Sequence, residues 1–194
     1  TTPTTTTTTN INPLQGQRLS LDLLTPGLNP RMEQKAMLQQ DLLFNLLLSL
    51  LPTLSQSFNH VTLAFASTGD VAGFSKHCGM RGVRLPDNVV PTELSLSRIP
   101  PTSCVVFVAA KNMVGDPVIN DILKICESPS MDAATFLFLN CDLAPKTALG
   151  LQERAIKDTF RATIRPVFYF RNLVRTVRPS LVPWEIGVLQ CVYG

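Results

Sequence analysis

Three short and continuously apolar segments constrain the fold of this chain more than any other feature. They occupy residues 61–66 (VTLAFA), 104–109 (CVVFVA) and 134–139 (ATFLFL), and turn-forming residues follow each of them. A strand that is apolar on both sides is typical of a parallel sheet covered by helices on both faces. Because helical patterns separate the segments, the sequence predicts an α/β three-layer sandwich. We expect its sheet to be mostly parallel and Rossmann-like, with right-handed crossovers.

The remaining elements follow from periodicity and from proline and glycine. Arg18–Leu24 alternates apolar and polar residues and is predicted as a first strand. A long helix is predicted to open at Asn29-Pro30 and to end at Pro52, and its second half is apolar nearly all round. The other predicted elements are a short helix over 71–78, an edge strand over 93–98, a helix from the N-cap Asp116 to Cys126, a helix over 150–165, and a C-terminal antiparallel hairpin of 167–174 and 185–193.

The composition is consistent with one domain and an N-terminal tail. Residues 1–16 are Thr-rich and are predicted to be an extended tail, and 17–194 to be a single α/β domain. Only 16% of the 194 residues are charged, below the roughly 25% of an average domain. The apolar run at 42–51 is too short for a membrane span. Five scattered cysteines without a C-x-x-C motif indicate a reducing compartment.

Polar side chains follow all three apolar segments. In open parallel α/β sheets, ligands bind beyond the carboxyl ends of the strands. If the three strands are neighbours, these side chains share one crevice, although such residues also occur in loops of this kind for turn and capping reasons alone. The possible ligand crevice consists of Asp70, Lys111, Asn112, Asn140 and Asp142.

Motifs that would define an enzyme are absent from the sequence. It contains no P-loop, no G-x-G-x-x-G after a strand, no H-E-x-x-H and no G-x-S-x-G. The two histidines, His60 and His77, have no second cluster that would complete a zinc site or a Cys/His nucleophile. We therefore predict no catalytic residue, no metal and no cofactor.

Basic residues concentrate in the last third of the chain. Between residues 150 and 180 there are seven Lys and Arg against two acidic residues, and the first four recur at helical spacing. This pattern predicts either a solvated helix face or a surface for an anionic partner, such as acidic lipid head groups, phosphates or an acidic protein. Nucleic acid is disfavoured, because few aromatic residues are interleaved with the stripe. The predicted basic face consists of Arg154, Lys157, Arg161, Arg165, Arg171 and Arg175.

Several stretches in a characteristic order resemble a plastid family known as a domain of unknown function. The family occurs in low-photosystem-II-accumulation type assembly factors and at the C-terminus of a chloroplast adenylate kinase. The resemblance implies a chloroplast protein on the stromal side of the thylakoid membrane, without established catalytic residues. The matching segments are RLSLDL at 18–23, PGLN at 26–29, VTLAFASTGDVAGF at 61–74, CVVFVAAKN at 104–112, FLFLNCDL at 136–143, residues 160–170, and Pro183-Trp184.

Two functions from different classes remain open at this stage. The first is a non-catalytic auxiliary or assembly subunit that docks on protein subunits of a photosynthetic membrane complex, with an anionic lipid surface as a further possible contact. The second is a nucleotide- or phosphometabolite-binding regulatory or enzymatic domain that uses the strand-end crevice. Release of the protein from thylakoid complexes by salt would implicate the arginines. Thermal stabilisation by a nucleotide would support the second function.

Overall fold

The computed structural model describes residues 16–24, 40–95, 97, 99–112, 117–144, 151–174 and 185–190, with the backbone alone at 117, 151–153, 171–174 and 185–190. Several predicted features therefore lie outside the described residues. These are the extended tail, the start of the long helix, the N-cap Asp116, the turn of the hairpin, Arg175 and Trp184.

Helices separate most of the strands along the described chain, as expected of an α/β domain. A single turn of 3₁₀ helix at Pro129–Met131 precedes the fifth strand. The helices are α1 (Gln40–Ser57), α2 (Thr68–Met80), α3 (Pro117–Cys126) and α4 (Leu151–Ala162). The strands are β1 (Arg18–Leu24), β2 (Val61–Phe65), β3 (Val89–Glu93), β4 (Cys104–Val108), β5 (Thr135–Leu139), β6 (Arg165–Val174) and β7 (Glu185–Gln190).

The strands form one sheet in the order β3-β2-β4-β5-β1-β6-β7. The first six strands in this order are parallel to one another. The α/β architecture and the mostly parallel sheet predicted from the sequence are confirmed. β7 pairs antiparallel with β6. Because residues 175–184 between them are not described, the closed C-terminal hairpin stays a prediction.

The three apolar segments form the centre of the sheet. Every residue of β2 and β4 is buried, as are all residues of β5 except Leu137. Side chains alternate between the two sides of a strand, so one strand contributes to two separate cores. On one side, α1 and α2 pack over β3, β2 and β4 around Leu47, Phe65 and Phe74. On the other side, α3 and α4 pack over β4 and β5 around Ile122, Phe138 and Phe160.

The long helix does not end at Pro52, contrary to the sequence prediction. Pro52 is exposed and lies inside α1, which continues to Ser57. A proline inside a helix removes one backbone hydrogen bond, and this cost must be offset by packing. Here Leu51 and Phe58 are buried on either side of the proline, and the amide of Phe58 donates to the carbonyl of Leu54 at 3.0 Å.

The edge strand was also misplaced by the sequence analysis, which expected it over 93–98. It lies at Val89–Glu93 with Pro91 at its centre. The amide of Val61 bonds to the carbonyl of Asn88 and that of Leu94 to the carbonyl of Phe65, which fixes the register. In this register Pro91 occupies a position whose missing N–H would have pointed away from the sheet. A proline is tolerated in an edge strand for this reason, and it hinders the addition of another strand.

The remaining helix bounds differ from the prediction at their ends. α2 begins at Thr68 rather than at Val71, because Ser67 is an N-cap whose side chain accepts from the amide of Asp70. α4 ends at Ala162 and not at Pro166. Arg165 and Pro166 already belong to β6, where they pair with Leu19 and Ser20.

Candidate functional site

The three strand ends named from the sequence lie side by side. β2, β4 and β5 are consecutive in the sheet and parallel, so the residues that follow them share its carboxyl edge. β2 leads into α2 on one side of the sheet, and β4 leads towards α3 on the other. Such a reversal between neighbouring strands is where open α/β sheets bind ligands.

Asn140 is fully buried and hydrogen-bonds to the neighbouring strand β1. Its backbone amide donates to the carbonyl of Leu21 at 2.9 Å. Its side-chain Oδ1 accepts from the amide of Leu23 at 2.6 Å, and its Nδ2 donates to the carbonyl of the same residue at 3.1 Å. The carboxamide therefore extends the backbone ladder between β5 and β1 by one step. These bonds give Asn140 a structural role in joining β5 to β1.

The segments that follow β4 and β5 contact each other again beyond the ends of the two strands. Ala109 and Asn140, the first residues after β4 and β5, both have a positive φ, 46° and 50°. The chains then pair again through an isolated parallel bridge between Lys111 and Asp142. Asp142 is only 2% exposed, while Lys111 is exposed and has no ion pair with any residue that the structure describes.

Asn112 is likewise buried, at 1% exposure. Its backbone amide donates to the carbonyl of Asp142 at 2.8 Å, and its Nδ2 donates to the carbonyl of Ala144 at 3.3 Å. Its Oδ1 accepts from the amide of Ile119 in the first turn of α3 at 3.5 Å. The side chain thus joins the extension of β4 to the loop after β5 and to α3.

Asp70 belongs to the cap of α2. Its amide donates to Ser67 Oγ at 3.2 Å, and Ser67 Oγ donates to Asp70 Oδ2 at 2.7 Å. A serine followed three residues later by an acidic residue closes the first turn of a helix in this way. Gln40 Nε2, at the start of α1, donates to Asp70 Oδ1 at 3.2 Å.

A small cavity lies at the point between β2 and β4 where ligands would bind. Its volume is about 80 Å³, well under the roughly 300–1,000 Å³ of a typical ligand site. Leu43, Phe44 and Phe65 line it together with Asp70, whereas the other four predicted crevice residues do not. The structure therefore brings the predicted residues to one edge, and of these only Asp70 lines the cavity that the described residues form there.

The predicted basic face is not a continuous exposed stripe. Lys157 is buried, at 2% exposure, on the side of α4 that carries Phe160. Arg154 Nε and Arg161 Nη1 lie 3.7 and 3.2 Å from the carboxylate of Asp158, so one acidic residue partly neutralises both. Arg165 is exposed and donates to Gln17 Oε1 at 3.0 Å. The structure does not describe the side chains of Arg171 and Arg175.

The four described cysteines and His77 are buried in the core, whereas His60 is exposed. Burial raises the pKa of Cys104 and of Cys126 to about 12, and burial also raises the pKa of the Cys141 thiol. A thiolate is therefore disfavoured at these positions, and they are poor nucleophiles. His77 is 4% exposed, with Nε2 3.0 Å from Asn45 Oδ1 and Nδ1 3.3 Å from Asp41 Oδ1.

Two further searches covered the described residues only. They contain no group of three His, Cys, Asp or Glu side chains that could hold a metal ion. None of their helices combines the length and the apolar character needed to cross a bilayer.

The sequence analysis missed several larger cavities. A depression of about 530 Å³ lies at the amino edge of the sheet, where the hydroxyls of Thr102 and Ser103 both donate to the carbonyl of His60. A cavity of about 230 Å³ lies between α4 and the sheet and contains Ser20 and Asp22. The alternating pattern of β1 placed these two side chains on one face. Which element would pack over that face was not visible in the sequence.

The strand order and the two helical layers define the structural class of this protein. A parallel sheet with helices on both sides, and with strand order reversing between β2 and β4, is an open α/β domain. The chain belongs to the family described as "Domain of unknown function (DUF1995)", whose model matches residues 6–193. No curated protein and no solved structure matches the chain significantly.

Proposed function

We propose that this domain is a non-catalytic auxiliary or assembly subunit that docks on protein subunits of a photosynthetic membrane complex in the plastid. The plastid and thylakoid setting is supported by the resemblance of segments such as 61–74 and 104–112 to plastid assembly factors. The mode of docking is supported by one observation, which is a group of half-buried apolar side chains on β5, β1 and β6 at the border of the core under α1 and α2.

This surface lies on the side of the sheet that carries α1 and α2. The two helices pack around side chains of β3, β2 and β4, while α3 and α4 lie on the opposite side. On the first side, the half of the sheet formed by β5, β1 and β6 borders this core, and Leu21, Leu23 and Leu137 pack against the edge of the core while remaining half-buried. The register places the following half-buried side chains together there: Leu21, Leu23, Leu137, Phe168 and Phe170. We call these five residues the open face.

One flank of α1 continues the open face. Asp41 and Asn45 of α1 contact His77, so this side of the helix faces α2. Residues four apart lie above one another on a helix, which puts a row of leucines on the other flank. Leu42 is 43% exposed, and Leu46 and Leu50 are half-buried. An apolar helix flank next to an apolar sheet face is typical of a site for another protein.

The chemistry of this surface favours a protein partner over a lipid head group or a nucleic acid. None of the five residues of the open face is charged, and neither are the three leucines of the flank. An anionic lipid or nucleic acid requires a cluster of unpaired cations, but on α4 Lys157 is buried and Arg154 and Arg161 are both paired with Asp158. We therefore expect apolar contacts to dominate the docking and the arginines to contribute little.

The alternative function, binding of a nucleotide or phosphometabolite at the strand ends, has weaker support. Asn112, Asn140 and Asp142 are at most 2% exposed, and the cavity between β2 and β4 holds only about 80 Å³. A thermal-shift screen with nucleotides tests this alternative directly, because a ligand that binds the native state raises its stability.

The docking proposal is tested by co-fractionation with solubilised thylakoid complexes. The test variant is Leu42→Glu, which places a charge on the α1 flank. The matched control is Ile156→Glu on α4, where the native side chain is 56% exposed and lies on the opposite side of the sheet. We expect the wild type and the control to co-migrate with a complex and Leu42→Glu to remain free. Binding should persist in about 1 M salt, where the screening length is about 3 Å.

Two outcomes would contradict this proposal. If the wild type stays a free monomer in the presence of every thylakoid complex, docking itself is wrong. If salt releases the protein and Leu42→Glu binds as the wild type does, the open face is not the contact surface.

A further inference from the structure

A cavity of about 320 Å³ lies at the amino edge of the sheet, between the starts of β1 and β6. This volume is at the lower end of the roughly 300–1,000 Å³ of typical ligand sites. The wall contains two arginines and no acidic residue, and it is formed by Gly16, Gln17, Arg18, Leu19, Thr163 and Arg165. The charge of this wall favours an anionic ligand.

Arg18 is half-buried and is held in place by α4 and the turn that follows it. Its guanidinium lies 5.0 Å from the centre of the Phe160 ring, and its Nη1 donates to Thr163 Oγ1 at 2.9 Å. Thr163 Oγ1 itself donates to the carbonyl of Phe160 at 2.6 Å, which leaves its lone pairs to accept from Arg18. Because the guanidinium is already oriented, a ligand would bind it at a small cost in side-chain entropy.

Arg165 belongs to the first residue pair between β6 and β1, opposite Leu19. Its Nη2 donates to Gln17 Oε1 at 3.0 Å. Both arginines are therefore held by neutral acceptors, and neither forms an ion pair with a residue that the structure describes. A guanidinium carries five N–H donors, and each of these two side chains uses one of them in its hydrogen bond.

The end of α4 beside the cavity balances only part of this charge. The last carbonyls of a helix are equivalent to about half a negative charge, and Arg18 and Thr163 lie next to those of α4. Two guanidiniums against this half charge leave about +1.5 at the cavity. Stabilisation of the helix end therefore accounts for one of the two arginines, and the second remains available for a ligand.

We propose that this cavity binds the phosphate group of a small, soluble phosphate monoester, which accepts hydrogen bonds from Arg18 and Arg165. Such a group carries a charge of about −1.5 to −2 at pH 7, which matches that of the cavity. Its terminal oxygens fit the planar fork of a guanidinium, and hydrogen bonds of this kind are among the strongest.

This inference does not depend on the docking proposal, because none of the five residues of the open face lines the cavity. It also differs from the alternative function, whose crevice lies at the carboxyl edge of the sheet.

Isothermal titration calorimetry with glycerol 3-phosphate, at constant ionic strength and in a buffer without phosphate, tests the proposal. Inorganic phosphate should bind comparably, whereas acetate, with a single negative charge, should bind about tenfold more weakly or worse. Glycerol should give no signal. Succinate is the dicarboxylate control and should bind more weakly than the phosphate ester. These comparisons use the wild type and cannot be confused with a folding defect.

Variants then locate the site. Arg18→Gln and Arg165→Gln should each weaken the binding of glycerol 3-phosphate about tenfold or more. Arg165 is exposed, so its replacement should leave the fold intact. Arg84→Gln is the matched control, because it removes the same charge from an exposed pair with Asp87 that does not line the cavity. Its affinity should stay within about twofold of the wild type.

Cosedimentation with vesicles of phosphatidylcholine and phosphatidate separates a soluble ester from a lipid head group with the same phosphate chemistry. We expect the protein to stay in the supernatant, because two cations hold a protein at a membrane only weakly. Sedimentation that depends on both arginines would overturn the soluble ligand. The proposal is also overturned if glycerol 3-phosphate gives no binding at millimolar concentration, if succinate binds more tightly, or if Arg18→Gln and Arg165→Gln bind as the wild type does.

Discussion

At the carboxyl edge of the sheet, polar side chains are buried and form hydrogen bonds with backbone groups. Across the open face, by contrast, apolar side chains are only half-buried. Asn112 and Asn140 each satisfy backbone groups of neighbouring segments. Leu21 and Leu23, on the strand that Asn140 holds in place, are only half-buried. The comparison teaches that residue type alone does not identify a site. Here the polar residues bond to backbone groups of the fold, and the surface that we propose for docking consists of half-buried apolar residues.

The largest expected effect tests the structural role of the carboxyl edge. Asn140→Ala removes both side-chain hydrogen bonds to Leu23 and places an alanine at a φ of 50°. Leaving buried backbone groups unsatisfied and straining the backbone should lower the free energy of unfolding by about 2–4 kcal/mol, measured by urea denaturation. Asn140→Gly loses the same bonds without the strain and should be the milder variant. A cost below about 1 kcal/mol for the alanine variant would mean that the edge is not held by this residue.

A second prediction asks whether the same edge opens in the native state. Cys141 is buried there and burial raises its pKa, so alkylation requires opening of the structure. We expect iodoacetamide to label it about a hundredfold more slowly in the folded protein than in urea, which corresponds to about 2.7 kcal/mol. Mass spectrometry resolves each thiol, and Cys104 at the amino end of β4 is the internal reference. Labelling of Cys141 well before Cys104 would show that the carboxyl edge opens locally and would weaken the comparison.

The third prediction concerns the contact that orients the α1 flank. His77→Leu keeps an apolar core residue of similar size but removes the 3.0 Å contact with Asn45. We expect a loss of about 1 kcal/mol in the free energy of unfolding. Asp41→Asn should cost less than about 0.5 kcal/mol, because Asp41 is 82% exposed and water screens its contact with His77. Equal costs for the two variants would indicate that the link between the helices is mainly electrostatic.

The sequence predicted the centre of the molecule better than its edges. A continuous apolar strand such as 104–109 has few alternatives to the middle of a parallel sheet, and it lies there. Pro52 and Pro91 misled the local analysis, because the helix and the edge strand that contain them are held by packing and register with distant segments. Local rules describe what a proline costs, but they do not show what offsets that cost.

The candidate site was predictable only in part, for a related reason. The sequence indicated that Asp70, Lys111 and Asn140 follow neighbouring strands, and the strand order confirms that they share an edge. It did not show that Asn140 would face Leu23, since that depends on β1 lying next to β5. The burial of Lys157 could not be predicted from the sequence either. Helical spacing shows which residues share a face of the helix, but not whether that face packs on the sheet or lies in solvent.

The smallest expected effect bears directly on the open face. Leu42→Gln should change the free energy of unfolding by less than about 0.5 kcal/mol, because Leu42 is already 43% exposed. On the same helix Leu47 is fully buried, and Leu47→Ala should cost about 2–5 kcal/mol. If Leu42→Gln costs nearly as much as Leu47→Ala in the isolated protein, the chain itself covers the flank and no surface is left there for a partner. If Leu42→Gln leaves the free energy of unfolding unchanged but abolishes co-fractionation with the membrane complex, the Leu42 side chain contributes to partner recognition and not to stability.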